Sequence, residues 1–514
     1  MSAPQRDEVK PRPGAHAQLP SGALYTTLSA TAGMGAGIIF ALLVAAKFGS
    51  TAGTDGFFIA YGVFGTFVGL AQGWRTTLVA RLVESETTFG TFNRCLGAVI
   101  LISAAAGIVL AGLGSPVATV LTGDLGATQE TARTALLILW PAAAAQLFAG
   151  LAASMLGVLG DFVQAAKSYA VGSIVGVLSF LALEPEFGID ATAAGVLIGS
   201  MTSAALITFA LVRAGWRPGV AILPKSVANL RAAWLLIYSS LSILGSQVLT
   251  VIVVSAAARL GEGNATLYSY ANTAQGALKG LVSMSLPVVL AASLATAWNR
   301  RPAALRPYMD DALRTGLVLL IPAVATAAFL GNELGEALLG KFSAEGVHQI
   351  LTVFLILSAS IVTAQAAMIQ RTALMTLGRY GVLAVLPIAQ AVLLAPLCVA
   401  AVAIGSLAAL AGAVVITLAI GAIVTVALIH GRRFAEVWGH VAKEVLRIAL
   451  PAAVCFGVAA IVTRPLESPF DDIAGLAGGL ALYAATVAAF MPPYRVLASR
   501  LVRSVRLSPA AGRA

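Results

Sequence analysis

Apolar residues recur along this chain in fourteen stretches joined by short polar loops. Most stretches hold about twenty residues or more, and a helix rising about 1.5 Å per residue needs about twenty to cross the hydrocarbon core of a bilayer. That pattern restricts the chain to an all-α polytopic membrane protein and places its function in or across the membrane. Hydrophobic residues make up 59% of the sequence and charged residues 11%, whereas a soluble domain carries about a quarter charged residues. The net charge of +10 fits basic loops and tails on the cytoplasmic side, so no nucleic-acid partner is expected. Cys95, Cys398 and Cys455 are far apart and sit mostly in apolar runs, as small buried hydrophobes do.

The expected spans are 25–48, 56–83, 94–114, 130–158, 163–183, 190–213, 231–257, 265–296, 308–331, 346–376, 380–403, 405–430, 444–463 and 472–492. Charge tests this division. With the N-terminal tail inside, the inner segments carry most of the Lys and Arg, including Arg213, Arg217, Lys225, Arg300, Arg301, Arg432 and Arg433. The outer segments carry only Lys47, Arg133, Arg259, Lys341 and Arg464, together with many acids such as Asp55, Glu184 and Glu262. This positive-inside bias holds from end to end only for an even number of crossings; thirteen would put the termini on opposite faces. Both termini are therefore expected in the cytoplasm of a bacterial cell, and no cleaved signal peptide is expected.

The longest inner loop divides twelve spans into two sets of six. The expected organisation is a disordered tail (1–22), an N-lobe (23–215), a cytoplasmic linker (216–230), a C-lobe (231–431), a C-terminal helix pair (432–492) and a basic tail (493–514). Two such lobes are the parallel-repeat design of many transporters. No loop is long enough to bury its own core, and no P-loop, HExxH or GxSxG stands in the chain. The chain is not expected to be an enzyme, and no cofactor or metal site is expected. Gly33, Gly35 and Gly37 lie within the first span and are expected to serve close helix packing.

Ionisable residues within spans are the default functional candidates because burying charge is costly. Lys279 lies in the eighth span, near Asn272, Thr273 and Gln275; Arg75 lies in the second, near Gln72 and Thr76. Two placements are open to each cation: facing a wet central cavity and an anionic group, or snorkelling to the interface. No Asp or Glu sits in the middle of a span, which argues against a simple cation-coupled antiporter.

The junction Lys47-Phe48-Gly49-Ser-Thr-Ala-Gly-Thr54-Asp55-Gly56-Phe57-Phe58-Ile-Ala60 resembles the Phe-Gly…Thr-Asp-x-Phe-Phe-x-Ala junction of the MurJ/MviN flippases, in the multidrug/oligosaccharidyl-lipid/polysaccharide (MOP) exporter superfamily. Ala71-Gln72-Gly73…Leu78-Val79-Ala80-Arg81-Leu82 and Tyr270-Ala271-Asn272 are similar to further segments of that family. The resemblance implies a V-shaped pair of lobes that carries an undecaprenyl-pyrophosphate-linked sugar outward by alternating access. It also implies membrane lipids and cell-envelope biosynthesis proteins as partners. The family's cavity arginines fall, without gaps, on Met34, Phe40, Val68 and Thr273, none of them basic, and its helix-two Glu falls on Gly73. Only the junction aspartate is kept, as Asp55, a structural or gating candidate that can alternatively cap backbone N–H groups at a helix start. Lys279 and Arg75 are the substitutes for the missing cations, with Asn272, Thr273 and Gln72 in support. A MATE-like exporter of small amphipathic compounds and a transport-inactive membrane scaffold are the alternatives.

Overall fold

The computed structural model describes residues 37–84, 88–123, 125–159, 161–217, 244–245, 247–283, 306–339, 341–376, 380–463 and 471–490. Side chains are not described at a further set of helical positions, including 72–84. Among the described residues the chain is helical, with no strand. The helices are α1 (Gly37–Phe48), α2 (Ala52–Glu84), α3 (Thr88–Thr122), α4 (Gly126–Val158), α5 (Phe162–Phe187), α6 (Asp190–Arg213) and α7 (Gln247–Ala258). They continue with α8 (Asn264–Ser283), α9 (Arg306–Leu338), α10 (Ala344–Thr376), α11 (Tyr380–Ile404), α12 (Leu407–His430), α13 (Phe434–Thr463) and α14 (Asp471–Phe490). Ten apolar segments in them are long enough to cross a membrane.

Each described helix falls on one expected span. Three run well beyond the bounds the sequence suggests; one is α9, which continues to Leu338 rather than 331. Helix α3 continues to Thr122 although Gly114-Ser-Pro116 reads as a turn; Pro116 stays inside the helix. Helix α13 starts at Phe434 rather than 444. Its first turns are amphipathic, and Trp438 and Val441 pack into an apolar cluster with Leu313, Leu317 and Tyr483, so the helix forms before the apolar run begins.

Packing repeats with a period of six helices. In the first set, α2 and α3 pack on α4, α4 packs on α6, and α5 on α6; in the second, α8 and α9 pack on α10, α10 packs on α12, and α11 on α12. Two lobes of like topology produce this recurrence. Helices α13 and α14 pair with each other and dock on α9. Among the described residues, one core cluster draws buried side chains from both lobes, with Phe57, Phe58 and Leu136 meeting Val253, Tyr268, Phe354 and Leu410. It lies toward the end of the bundle where α1 turns into α2 and α7 into α8. A second cluster, with Leu96, Met155 and Trp216, belongs to the first lobe.

Helices α5 and α6 cross through two Gly-x-x-x-Gly pairs, Gly172/Gly176 and Gly195/Gly199. A Cβ at Gly176 would sit 2.9 Å from the Gly195 carbonyl oxygen, and one at Gly199 would sit 2.7 Å from that of Gly172. The backbones touch, as small residues permit in membranes, where lipid competes with any apolar contact.

An ion cluster fastens α13 to α9. Glu444 is 1% exposed and accepts from Arg314 of α9 and Arg447 of its own helix, each at 3.1 Å. Glu444→Leu keeps the volume and leaves both guanidiniums without this partner. Loss of charge-assisted bonds of this kind costs about 2 kcal/mol. The expected result is a faster tryptic cut near the α12–α13 boundary in detergent, with the first lobe's cleavage pattern unchanged; an unaltered cutting rate would show that the cluster does not hold the pair.

Candidate functional site

The N-termini of α2 and α8, corresponding helices of the two lobes, meet head to head. Each would present free N–H groups and the positive end of a helix dipole to the other. Side chains from the opposite lobe resolve this conflict. Asp55, 1% exposed in the first turn of α2, accepts the Gly263 N–H at 2.6 Å and the Thr266 N–H at 2.7 Å. It also accepts the Thr266 hydroxyl at 2.6 Å, and that hydroxyl lies 2.9 Å from Thr54 Oγ1. In return Glu262, just before α8, accepts the Ala52 N–H at the start of α2 at 3.0 Å. The start of α2 has its own local cap, since Thr51 Oγ1 accepts the Thr54 N–H at 3.3 Å. The Asp55 carboxylate therefore caps a helix of the other lobe rather than its own. Gly263 takes φ of 85° to offer its N–H, a conformation that favours glycine.

Two cations complete this end. Arg259 Nη2 donates to the Val120 carbonyl at 3.1 Å, in the last turn of α3, and Lys341 Nζ donates to the Lys47 carbonyl at 2.6 Å, in the last turn of α1. Cations suit helix C-termini for the same dipole reason that carboxylates suit N-termini. Four charged side chains, Asp55, Glu262, Arg259 and Lys341, thus bond to backbone groups of the opposite lobe, around the shared apolar core.

Two cavities lie beside this contact. The larger, about 320 Å³, sits inside the first lobe between α1, α2, α4, α5 and α6, with Gln247 of α7 at its wall. The smaller, about 180 Å³, lies between the lobes, where Phe40, Phe57 and Tyr61 face Thr273 and Gly276 of α8. Gly37, Phe40 and Tyr61 line both. No described lining residue of either cavity is charged.

The sequence-derived candidates are dispersed by this geometry. Thr273 lines the inter-lobe cavity, whereas Asn272, half-buried beside it, lines neither. Lys279 is half-buried and donates to Gln275 Oε1 at 2.9 Å. Gln275 in turn donates to the Leu357 carbonyl at 2.6 Å and to Ser360 Oγ at 2.9 Å, which ties α8 to α10. Gln72 and Arg75 lie on α2, and their side chains are outside the described ones. Gly37 departs from the packing role expected of it: a Cβ there would meet nothing within 4 Å, because this part of α1 faces open cavity. Gly33 and Gly35 lie outside the described residues. Thr266, Gln146, Ser200 and Gln247 are not singled out by the sequence, and Glu262 stands there only as an acid of an outer segment. Only the paired Gly-x-x-x-Gly spacing around the larger cavity was there to be noticed.

Comparison with known proteins gives one matching family and several similar solved structures. The family described as lipid II flippase MurJ matches residues 44–468. The fold is similar to a solved structure titled as lipid II flippase MurJ in an inward closed conformation, at TM-score 0.74 and 17% identity, covering 93% of this chain and 99% of that one. It is also similar to an inward-facing multidrug resistance MATE family transporter of the MOP superfamily, at TM-score 0.62 and 15% identity, covering 79% and 98%. A MOP superfamily transporter from Pyrococcus furiosus, whose title reports reverse polarity of its binding pocket, matches at TM-score 0.60 and 16% identity over 85% and 99%. No curated protein matches the sequence.

Proposed function

We propose that this chain, which belongs to the lipid II flippase MurJ family, turns a lipid-linked amphipathic molecule from the inner to the outer leaflet of the bacterial inner membrane. The observation that carries the reading is the reciprocal capping of α2 and α8. Charged side chains hold backbone groups of the opposite lobe at one end of the bundle, and such contacts can be exchanged for water without breaking either lobe. That is what alternating access by rocking lobes requires. The excess of Lys and Arg in alternate loops supports a cytoplasmic far end of the bundle and cytoplasmic termini. The capped end then faces outward and is closed. No covalent bond changes in this cycle, and membrane lipid and the lipid-linked substrate are the partners it needs.

Lys279 takes the role of anion contact. Among the described residues its one hydrogen bond, to Gln275, leaves two of its three N–H donors for a phosphate oxygen. Lys279→Ala is expected to lower transport about tenfold or more, and Lys279→Arg to restore part of it. Equal transport by Lys279→Ala and the unaltered protein would remove the lysine from the mechanism. The overall reading is tested by expressing the chain in bacteria depleted of their own lipid II flippase. Restored growth and continued peptidoglycan synthesis are expected. Lysis despite membrane insertion of the protein would contradict lipid II as cargo.

A further inference from the structure

We infer that the cavity inside the first lobe binds the neutral, hydroxyl- and amide-bearing sugar of the lipid-linked substrate, separately from its anionic linkage. The assignment rests on the flippase reading above. At about 320 Å³ the cavity stands at the small end of ligand pockets, about 300 to 1,000 Å³, enough for a sugar ring rather than a whole lipid head. Its described walls combine amides and hydroxyls with aromatic faces. Gln146 Nε2 donates to Ser200 Oγ at 3.1 Å. Among the described residues that bond takes up one of the amide's four hydrogen-bonding positions. Gln247 Oε1 approaches Gly65 from the opposite wall, 3.5 Å from where a Cβ would be. Phe64 and Tyr61 add flat apolar surface, of the kind that covers the C–H faces of a pyranose ring.

Charge distinguishes this ligand from an anion. No described lining residue carries a positive charge to meet a pyrophosphate, nor a negative one to meet a cationic drug. Amides and hydroxyls both donate and accept, which suits hydroxyl and N-acyl groups that do the same. The cavity also meets the inter-lobe one along Gly37, Phe40 and Tyr61. A sugar held in the first lobe can therefore direct its linkage through the inter-lobe cavity toward α8, the helix that carries Lys279.

The test uses the purified full-length protein and free chitobiose, an uncharged N-acetylated disaccharide that can seat one ring in the cavity and leave the other at its mouth, in calorimetric titration beside inorganic pyrophosphate. Chitobiose should bind. Gln146→Ala should weaken it roughly fivefold through lost hydrogen bonds. Gly65→Val should weaken it at least as much by filling the cavity, since a Cβ there meets only the Gln247 side chain at ordinary contact distance. Pyrophosphate binding should be the same in both variants and the unaltered protein. Two variants of opposite kind, each checked for a monodisperse gel-filtration profile, separate ligand loss from misfolding. Chitobiose affinity unchanged in both folded variants, or no chitobiose binding by a protein that does translocate a lipid-linked glycan in vesicles, overturns the cavity assignment and leaves the flippase reading intact. Failure of the unaltered protein to translocate that glycan overturns the flippase reading itself.

Discussion

Asp55→Ala is expected to open the closed end of the bundle. The substitution removes the acceptor of the Gly263 N–H just before α8 and of the N–H and hydroxyl of Thr266 in its first turn. Hydrogen bonds to a charged group contribute about 1.5 to 3 kcal/mol each, and water replaces part of what is lost. A net cost of about 3 kcal/mol moves the closed-to-open ratio about a hundredfold, enough to take the open form from rare to prominent. Spin labels at Leu125 of the first lobe and Ile404 of the second, both exposed at this end, report the separation by double electron–electron resonance. The unaltered protein should give one short distance and Asp55→Ala a second, longer population. Thr266→Val, which removes the hydroxyl's contacts with Asp55 and Thr54 and keeps both backbone bonds, should give a smaller share of it. An unchanged distance distribution in Asp55→Ala would show that the apolar core alone holds the lobes together. Asp55→Asn tests charge against shape. Its amide nitrogen would face an N–H donor, so it should behave closer to alanine than to aspartate.

The second large effect concerns the fold of the first lobe. Gly176→Leu or Gly199→Leu would place a Cβ 2.9 Å or 2.7 Å from a carbonyl oxygen of the facing helix. Backbone cannot yield as a side chain can, so α5 and α6 must separate. Overpacking of a well-fitted contact costs about 3 kcal/mol and can cost more when backbone is the obstacle. The separation also distorts the larger cavity, whose floor these glycines form. Thermal unfolding in detergent should show a midpoint lowered by several degrees, or protein that does not survive extraction. The same change at Gly412, where a Cβ meets nothing within 4 Å, should leave the midpoint in place. Equal midpoints for Gly199→Leu and Gly412→Leu would mean that the crossing is looser than its geometry.

These effects show where physical information sits in the chain. Span number, span order and the two lobes were legible because apolar length and loop charge are one-dimensional signals. The ends of α3 and α13 were not, since Pro116 is accommodated inside a helix and the amphipathic start of α13 depends on α9 being beside it. Asp55 stood out by its motif and helix-start position, and its capping chemistry was foreseeable. Its partner was not. Gly263 and Thr266 are more than two hundred residues away, and only the meeting of corresponding helices brings them together. Intramembrane charge led to Lys279, yet the walls of the described cavities are neutral. Gln146, Ser200 and Gln247 carry no conspicuous signature in an apolar helix, because isolated polar residues there also serve interhelical bonding. Lys341, Arg259 and Glu262 read as loop charges by sequence, and the fold sets each against a helix end of the other lobe.

Leaflet translocation tests the flippase role most directly. The full-length protein is reconstituted in vesicles with an undecaprenyl-pyrophosphate-linked disaccharide, and the lipid's exposure on the opposite leaflet is followed with a membrane-impermeant sugar-modifying reagent. The unaltered protein should accelerate exposure well beyond protein-free vesicles, and Asp55→Ala should remove most of the acceleration. Exposure at the protein-free rate in vesicles with correctly folded, inserted protein would contradict a flippase role for this chain.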